Sequence, residues 1–160
     1  MMAIARFLHV SEDQYASSAL PEALPVEEIP LPRRATAGSA GYDFICPAEV
    51  SLQPGEAVTI PTGVRCKMQP GWVLMLFPRS GLGFKHQVRL ANTVGVIDAD
   101  YFHAANEGHI MVRIVNGGDH PVRIARGERF CQGVFLPHGL AQEDEVLADR
   151  TGGFGSTGEK

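Results

Sequence analysis

Cysteine is scarce in this 160-residue chain, with only Cys46, Cys66 and Cys131 present. The count is odd, the spacing is wide and there is no CxxC. That excludes a disulfide framework and a thiolate zinc site, and it predicts a reducing, cytoplasmic setting. The six histidines form neither HxH nor HExxH, so they read as surface or structural residues rather than metal ligands. Positive charge is not in excess: 14 Lys and Arg stand against 18 Asp and Glu, a net charge of -4. A broad basic surface for nucleic acid is therefore not expected. A small anionic ligand remains open, because it needs only a few local cations and backbone N–H groups. No stretch approaches the roughly 18 apolar residues of a membrane span. The opening run MMAIARFLHV carries an arginine and no cleavage pattern, and it reads as a strand rather than a signal peptide.

Long helical patterns are missing as well. Eighteen glycines and eleven prolines cut the chain into short apolar runs. Residues 20–34 hold four prolines and cannot form one regular element. The remaining runs alternate or are β-branched: 4–10, 42–46, 50–52, 57–61, 64–68, 72–78, 88–97, 109–115, 122–125 and 129–136. Turn signals separate them at Pro54-Gly55, Pro70-Gly71, Asn116-Gly117-Gly118 and Arg126-Gly127-Glu128. Short strands at this spacing predict one all-β domain, a sandwich or barrel of the jelly-roll kind, over residues 1–149. Ser80–His86 is the one segment that reads as a short helix, and Trp72 reads as core. The hydrophobic fraction of 44% is enough for a real core. Residues 150–160, RTGGFGSTGEK, hold four glycines in eleven positions and cannot pack a core. Composition alone makes them a disordered tail.

Five segments carry groups suited to chemistry. Gly38–Asp43 leads small residues into a strand that contains an aspartate, an unusual strand residue that needs a cation or a polar site. Pro78-Arg79-Ser80-Gly81 begins the helical turn, where unpaired N–H groups can receive a phosphate. The alternative is a capped turn with a surface arginine. Asn92–Tyr101 reads as an apolar hairpin ending in Asp98, Asp100 and Tyr101, and a carboxylate at a strand end can accept a proton from water. Two turn aspartates would look the same. Gly127–Gln132 enters a strand with a polar residue facing inward. The tail offers glycine N–H groups, two hydroxyls, Arg150 and the lone aromatic Phe154, which suit phosphate oxygens and a flat base.

In order, AGYDF, PRSGLG, GVIDADY, GERFCQ and RTGGFGSTG resemble motifs one to five of the homotrimeric dUTPase family. The match spans residues 40–158. The resemblance implies a jelly-roll subunit, a homotrimer with shared active sites, and hydrolysis of dUTP to dUMP and pyrophosphate. It implies Mg2+ held by the triphosphate and water rather than directly by side chains. Asp98 matches the carboxylate that deprotonates the attacking water, and Tyr101 the ring beneath the deoxyribose. Asn92 matches the residue that reads uracil, alongside the backbone of its hairpin, here including Gly95 and Ile97. Arg79, Ser80, Gly81 and Gln132 match phosphate contacts, and Asp43 the carboxylate near the metal's water shell. Arg150, Phe154, Gly155, Ser156 and Thr157 match a flexible arm that closes over the nucleotide, with Phe154 over the uracil.

Two departures stand out. Where the family pattern continues from tyrosine directly into arginine-glycine, residues 102–108 form a short insertion. Arg150 stands four residues before Phe154 rather than five. A dCTP deaminase shares the fold, but its motif two carries a double serine, and PRSGL with a GFGSTG arm points to dUTPase. A binding module with a dead site would need dUTP binding without pyrophosphate release.

Overall fold

Glycine and proline set the strand ends, and period-two burial sets the strand faces. The computed structural model describes residues 3–144. Twelve strands are found among them. They are β1 (Ala5–His9), β2 (Arg33–Arg34), β3 (Tyr42–Ile45), β4 (Val50–Leu52), β5 (Ala57–Pro61) and β6 (Val64–Met68). The others are β7 (Trp72–Pro78), β8 (Val88–Leu90), β9 (Gly95–Ile97), β10 (Met111–Asn116), β11 (Val122–Ile124) and β12 (Arg129–Pro137). In β4, β8 and β11 the first and third residues are buried and the middle one is exposed, as strand pleating requires of a half-buried sheet.

Every pairing is antiparallel, and most join residues far apart in sequence. The largest sheet runs β2-β3-β12-β7-β9, with β12 as its spine. A second sheet runs β5-β10-β8, and two pairs, β1-β6 and β4-β11, complete the β structure. Between them lies one core built on Phe44, Ile60, Leu74, Leu76, Leu90, Ile97, Ile114, Ile124 and Phe130, all nearly inaccessible. Burying side chains of this size stabilises the fold by roughly 1.5–3 kcal/mol each. Trp72 is only half-buried and packs at the edge of this core. The all-β jelly-roll expectation holds.

Two local readings need correction. The sequence allowed at most one short helix, yet α1 (Glu12–Ala16) precedes α2 (Ser80–His86). Its signal is a capping one: Ser11 accepts from the Gln14 N–H, with Glu12 and Asp13 in the first turn. The hairpin expected at Asn92–Tyr101 is not a paired one. β8 pairs with β10 and β9 with β7, so the turn at Asn92–Val94 carries the chain between two sheets. The proline-rich 20–34 stretch is irregular as expected, holding a 3-10 turn at Val26–Glu28 and the two-residue β2. Val26 and Ile29 bury themselves with Val10 and Tyr15 in a small second cluster, and the His9 ring nitrogen lies 2.8 Å from the Ile29 carbonyl oxygen.

The three cysteines are free and buried. Burial pushes the Cys46 thiol up to about 11 and the Cys66 thiol up to about 12, so both act as packing residues rather than nucleophiles. Among the described residues no helix is long and apolar enough to cross a membrane.

Candidate active site

Two unlike pockets stand out among the described residues. The first has a volume of about 300 Å³ and is mostly apolar. Leu76 of β7, Leu90 of β8 and Met111 and Val112 of β10 wall it, and Asn92 and Gly95 line it beside Thr59 and Arg113. Gly95 must be glycine for packing reasons, because a Cβ there would lie 2.9 Å from Leu76 Cβ. Ile97 is on the same strand but points into the core at 1% exposure, so it can meet a ligand only through its backbone. Asn92 is exposed on the turn, where its amide can serve as both donor and acceptor.

β9 delivers Asp98 at its end. Asp98 is the N-cap of a 3-10 turn, Ala99–His103, but its side chain makes no capping bond and is exposed. Tyr101 lies one turn on and is 3% exposed. Its hydroxyl donates to the His109 carbonyl at 2.7 Å and accepts from Asn106 Nδ2 at 2.8 Å. The ring is thus anchored at its polar tip and can offer a ligand a wall.

The second pocket, about 280 Å³, is polar. Arg79, Lys85, His86 and Arg129 line it with Gly81 and Glu128. Three of the sequence motifs converge beside it. Asp43 on β3 stands opposite Gln132 on β12, and Gln132 stands opposite Phe77 on β7, two residues before Arg79. Asp43 is 8% exposed and meets two guanidiniums, Arg79 Nε at 3.5 Å and Arg129 at 3.2 Å. The strand aspartate is therefore paired with cations. Gln132 donates from Nε2 to the Pro78 carbonyl at 3.3 Å, and its amide fills the space left by the missing side chain of Gly41. Ser80 and Gly81 are exposed at the start of α2, and a Cβ on Gly81 would meet nothing within 4 Å.

Arg129 was not singled out by sequence, and its placement has a specific cause. Arg129 and Gln132 are three apart, so in a regular strand they would face opposite sides. The β12 ladder shifts register between Arg129 and Cys131, and this bulge turns both toward the Asp43 face. The adjacent buried residues Phe130 and Cys131 are its trace. Lys85, Thr59 and Arg113 were likewise missed, since polar residues in short elements carry no periodic signal that marks a site.

The structure brings Asn92 and Gly95 into one pocket and Asp43, Arg79 and Gln132 into a second cluster. The two pockets share no lining residue. Arg150, Phe154, Gly155, Ser156 and Thr157, and the arm predicted from them, lie outside the described residues. No group of three or more His, Cys, Asp or Glu side chains among the described residues is arranged to hold a metal ion.

The chain is similar to known proteins in sequence and fold. A family model described as dUTPase matches residues 27–158. The deoxyuridine 5'-triphosphate nucleotidohydrolase of Lactococcus lactis is 47% identical over 133 residues, covering 81% of this chain and 89% of that one. The crystal structure of a dUTPase from Streptococcus mutans superposes with a TM-score of 0.66 at 37% identity, covering 84% of this chain and 97% of that one. A variant dUTPase from phage phi11 of S. aureus, which coordinates a structural Mg(II) ion, shares the fold at a TM-score of 0.67. It is 21% identical and covers 91% of this chain and 98% of its own. With five motifs in order and relatives matched over most of their length, the chain belongs to the dUTPase family.

Proposed function

We propose that the chain hydrolyses dUTP to dUMP and pyrophosphate, with Asp98 as the general base. The observation that carries this reading is the pair of unlike pockets, one apolar and lined by an amide, one lined by cations. A nucleotide needs both, because its base is flat and weakly polar and its triphosphate is highly anionic. Family membership supports the same substrate.

In this reading uracil enters the apolar pocket, where Asn92 and the backbone at Gly95 and Ile97 match its polar edge. The limited room against Leu76 and Met111 disfavours a base carrying a methyl group. Tyr101 forms the wall beneath the sugar. Asp98, at the end of the strand that reads the base, accepts a proton from the water that attacks the α-phosphorus. A placed base of this kind contributes roughly 10²–10⁴-fold to the rate. Arg79, Ser80, Gly81 and Gln132 hold the triphosphate, and Arg129 adds a cation to that set. Guanidiniums suit phosphate because their planar donors engage two oxygens at once. The anion must be offset before a nucleophile approaches.

The donor set fits Mg2+ bound through phosphate oxygens and water. Asp43 spends one contact per oxygen on its arginines, and a carboxylate has further lone pairs with which to accept a metal-bound water. When bound, the ion supplies charge neutralisation and polarisation of the phosphoryl oxygens.

The two pockets share no lining residue, and the reading joins them in a homotrimer in which one copy's cationic pocket completes a neighbour's base pocket. Residues 150–160 act as the closing arm over residues 1–149, with Arg150, Ser156 and Thr157 on phosphate, Gly155 giving close backbone approach and Phe154 on uracil. Three buried free thiols suit the reducing cytoplasm. Pyrophosphate release from dUTP with Mg2+ tests the proposal, and a purified protein that binds dUTP without releasing pyrophosphate contradicts it.

A further inference from the structure

We propose that Asn106, within the inserted segment after GVIDADY, is a positioning residue that sets discrimination between deoxyribose and ribose by holding the Tyr101 ring. This rests on the reading of Tyr101 as the wall beneath the sugar. A pocket built only from apolar surface rejects an added hydroxyl weakly. Strong rejection needs a wall that does not yield, and a site of this kind must be held to within about 0.5 Å by its supports. The question is what keeps the Tyr101 ring in place.

The inserted residues do so from three directions. Asn106 Nδ2 donates to the Tyr101 hydroxyl at 2.8 Å, while that hydroxyl donates to the His109 carbonyl at 2.7 Å. The other end of the same amide, Asn106 Oδ1, accepts the Gly108 N–H at 3.2 Å, so one side chain ties the ring tip to the loop. Gly108 has φ of +71°, and a Cβ there would lie 2.6 Å from the Tyr101 carbonyl oxygen. The loop therefore closes directly against the tyrosine backbone. Its outer side is fixed by Glu107, which accepts from the Ser11 N–H at 2.9 Å and the Ser11 hydroxyl at 2.6 Å and stands 3.7 Å from Arg65. Arg65 in turn lies 3.7 Å over the Phe102 ring and donates to the Phe102 carbonyl at 2.7 Å. Within this brace it is the Asn106 side chain that bonds the Tyr101 hydroxyl.

The test measures kcat/KM for dUTP and for UTP in the wild type, Asn106→Asp, Tyr101→Phe, Tyr101→Ala and the double variant N106D/Y101F. Asn106→Asp keeps the size and the acceptor for Gly108 but loses the donor to Tyr101. N106D and Y101F are each expected to lower the dUTP-to-UTP ratio by about five- to tenfold, the scale of one hydrogen bond. The double variant is expected to be no worse than Y101F alone, because Y101F already removes the Asn106–Tyr101 contact together with the bond to His109. An unchanged ratio in N106D while Y101F or Tyr101→Ala lowers it, or losses that multiply in the double variant, overturns the role of Asn106. A fall in both substrates with the ratio preserved marks a structural role only and also overturns it. If N106D does not fold, Asn106→Ser is held to the same outcomes. A wild type without preference for dUTP, or an unchanged ratio in Tyr101→Ala, overturns the reading of Tyr101 itself and the proposal with it.

Discussion

Asp43 holds two arginines from different motifs, with Oδ1 3.5 Å from Arg79 Nε and Oδ2 3.2 Å from Arg129. The carboxylate is nearly buried while both guanidiniums remain partly open, so it orients two cations that can still face an anion. Asp43→Asn keeps the shape and removes the charge. The freed arginines can hydrate, so the stability loss should be about 1–2 kcal/mol, below that of a fully buried pair. KM for dUTP should rise more than kcat falls. Thermal unfolding and steady-state kinetics on the same preparation check this, and an unchanged KM removes Asp43 from organising the phosphate site.

Asp98 is exposed at the end of β9 and is not spent on capping its 3-10 turn. Asp98→Asn should still bind a non-hydrolysable dUTP analogue but lose roughly 10²–10⁴-fold in turnover, since an amide does not take the water's proton. Calorimetric binding together with pyrophosphate release separates the two effects. Full turnover in the variant would exclude Asp98 as the base.

His109 is fully buried, and its Nε2 accepts the Gly63 N–H at 2.9 Å, which requires the neutral ring. Burial lowers its pKa from 6.5 to about 4, against a smaller opposing pull from Glu107. A depressed folded value means that the unfolded chain takes up the proton first. The stabilisation is therefore complete above about pH 6.5 and is lost as pH falls toward 4, by roughly 3 kcal/mol in all. Glu107 is held below the ordinary carboxylate value, first by its Ser11 hydrogen bonds, so its own loss comes at lower pH. His109→Gln should flatten the stability profile between pH 6.5 and 4. Parallel profiles for variant and wild type in chemical denaturation would contradict this.

Removal of residues 150–160 should sharply lower dUTP turnover while leaving the unfolding temperature and oligomeric state unchanged. The core lies upstream, in residues such as Phe44, Leu74 and Phe130. Turnover of the truncated chain and its thermal melt decide it, and loss of folding would make the segment structural.

Much of the fold was legible because alternation is a local signal. Val50-Ser51-Leu52 and Val122-Arg123-Ile124 display their buried and exposed faces in three residues each. What periodicity does not carry is partner choice, and so Asn92–Tyr101 reads as a hairpin although β8 and β9, on either side of its turn, belong to different sheets. α1 was overlooked because its signal is the Ser11 cap rather than an apolar stripe. In the site, Asp43, Arg79 and Gln132 were found through their motifs, and the register places Asp43 and Gln132 opposite each other. Arg129 was hidden by the bulge that reverses its facing, and Asn106 by its place in a loop whose hydrogen bonds leave no pattern in sequence.

The central claim is that an apolar pocket read by Asn92 and a cationic pocket at Arg79 together make a site for hydrolysis of dUTP. A panel of dUTP, dCTP, dTTP and UTP, assayed with Mg2+ for both pyrophosphate and ammonia, tests it most directly. The account predicts pyrophosphate from dUTP far faster than from the other three, with no ammonia from dCTP. Ammonia release from dCTP, or equal pyrophosphate release from dUTP and UTP, would contradict it.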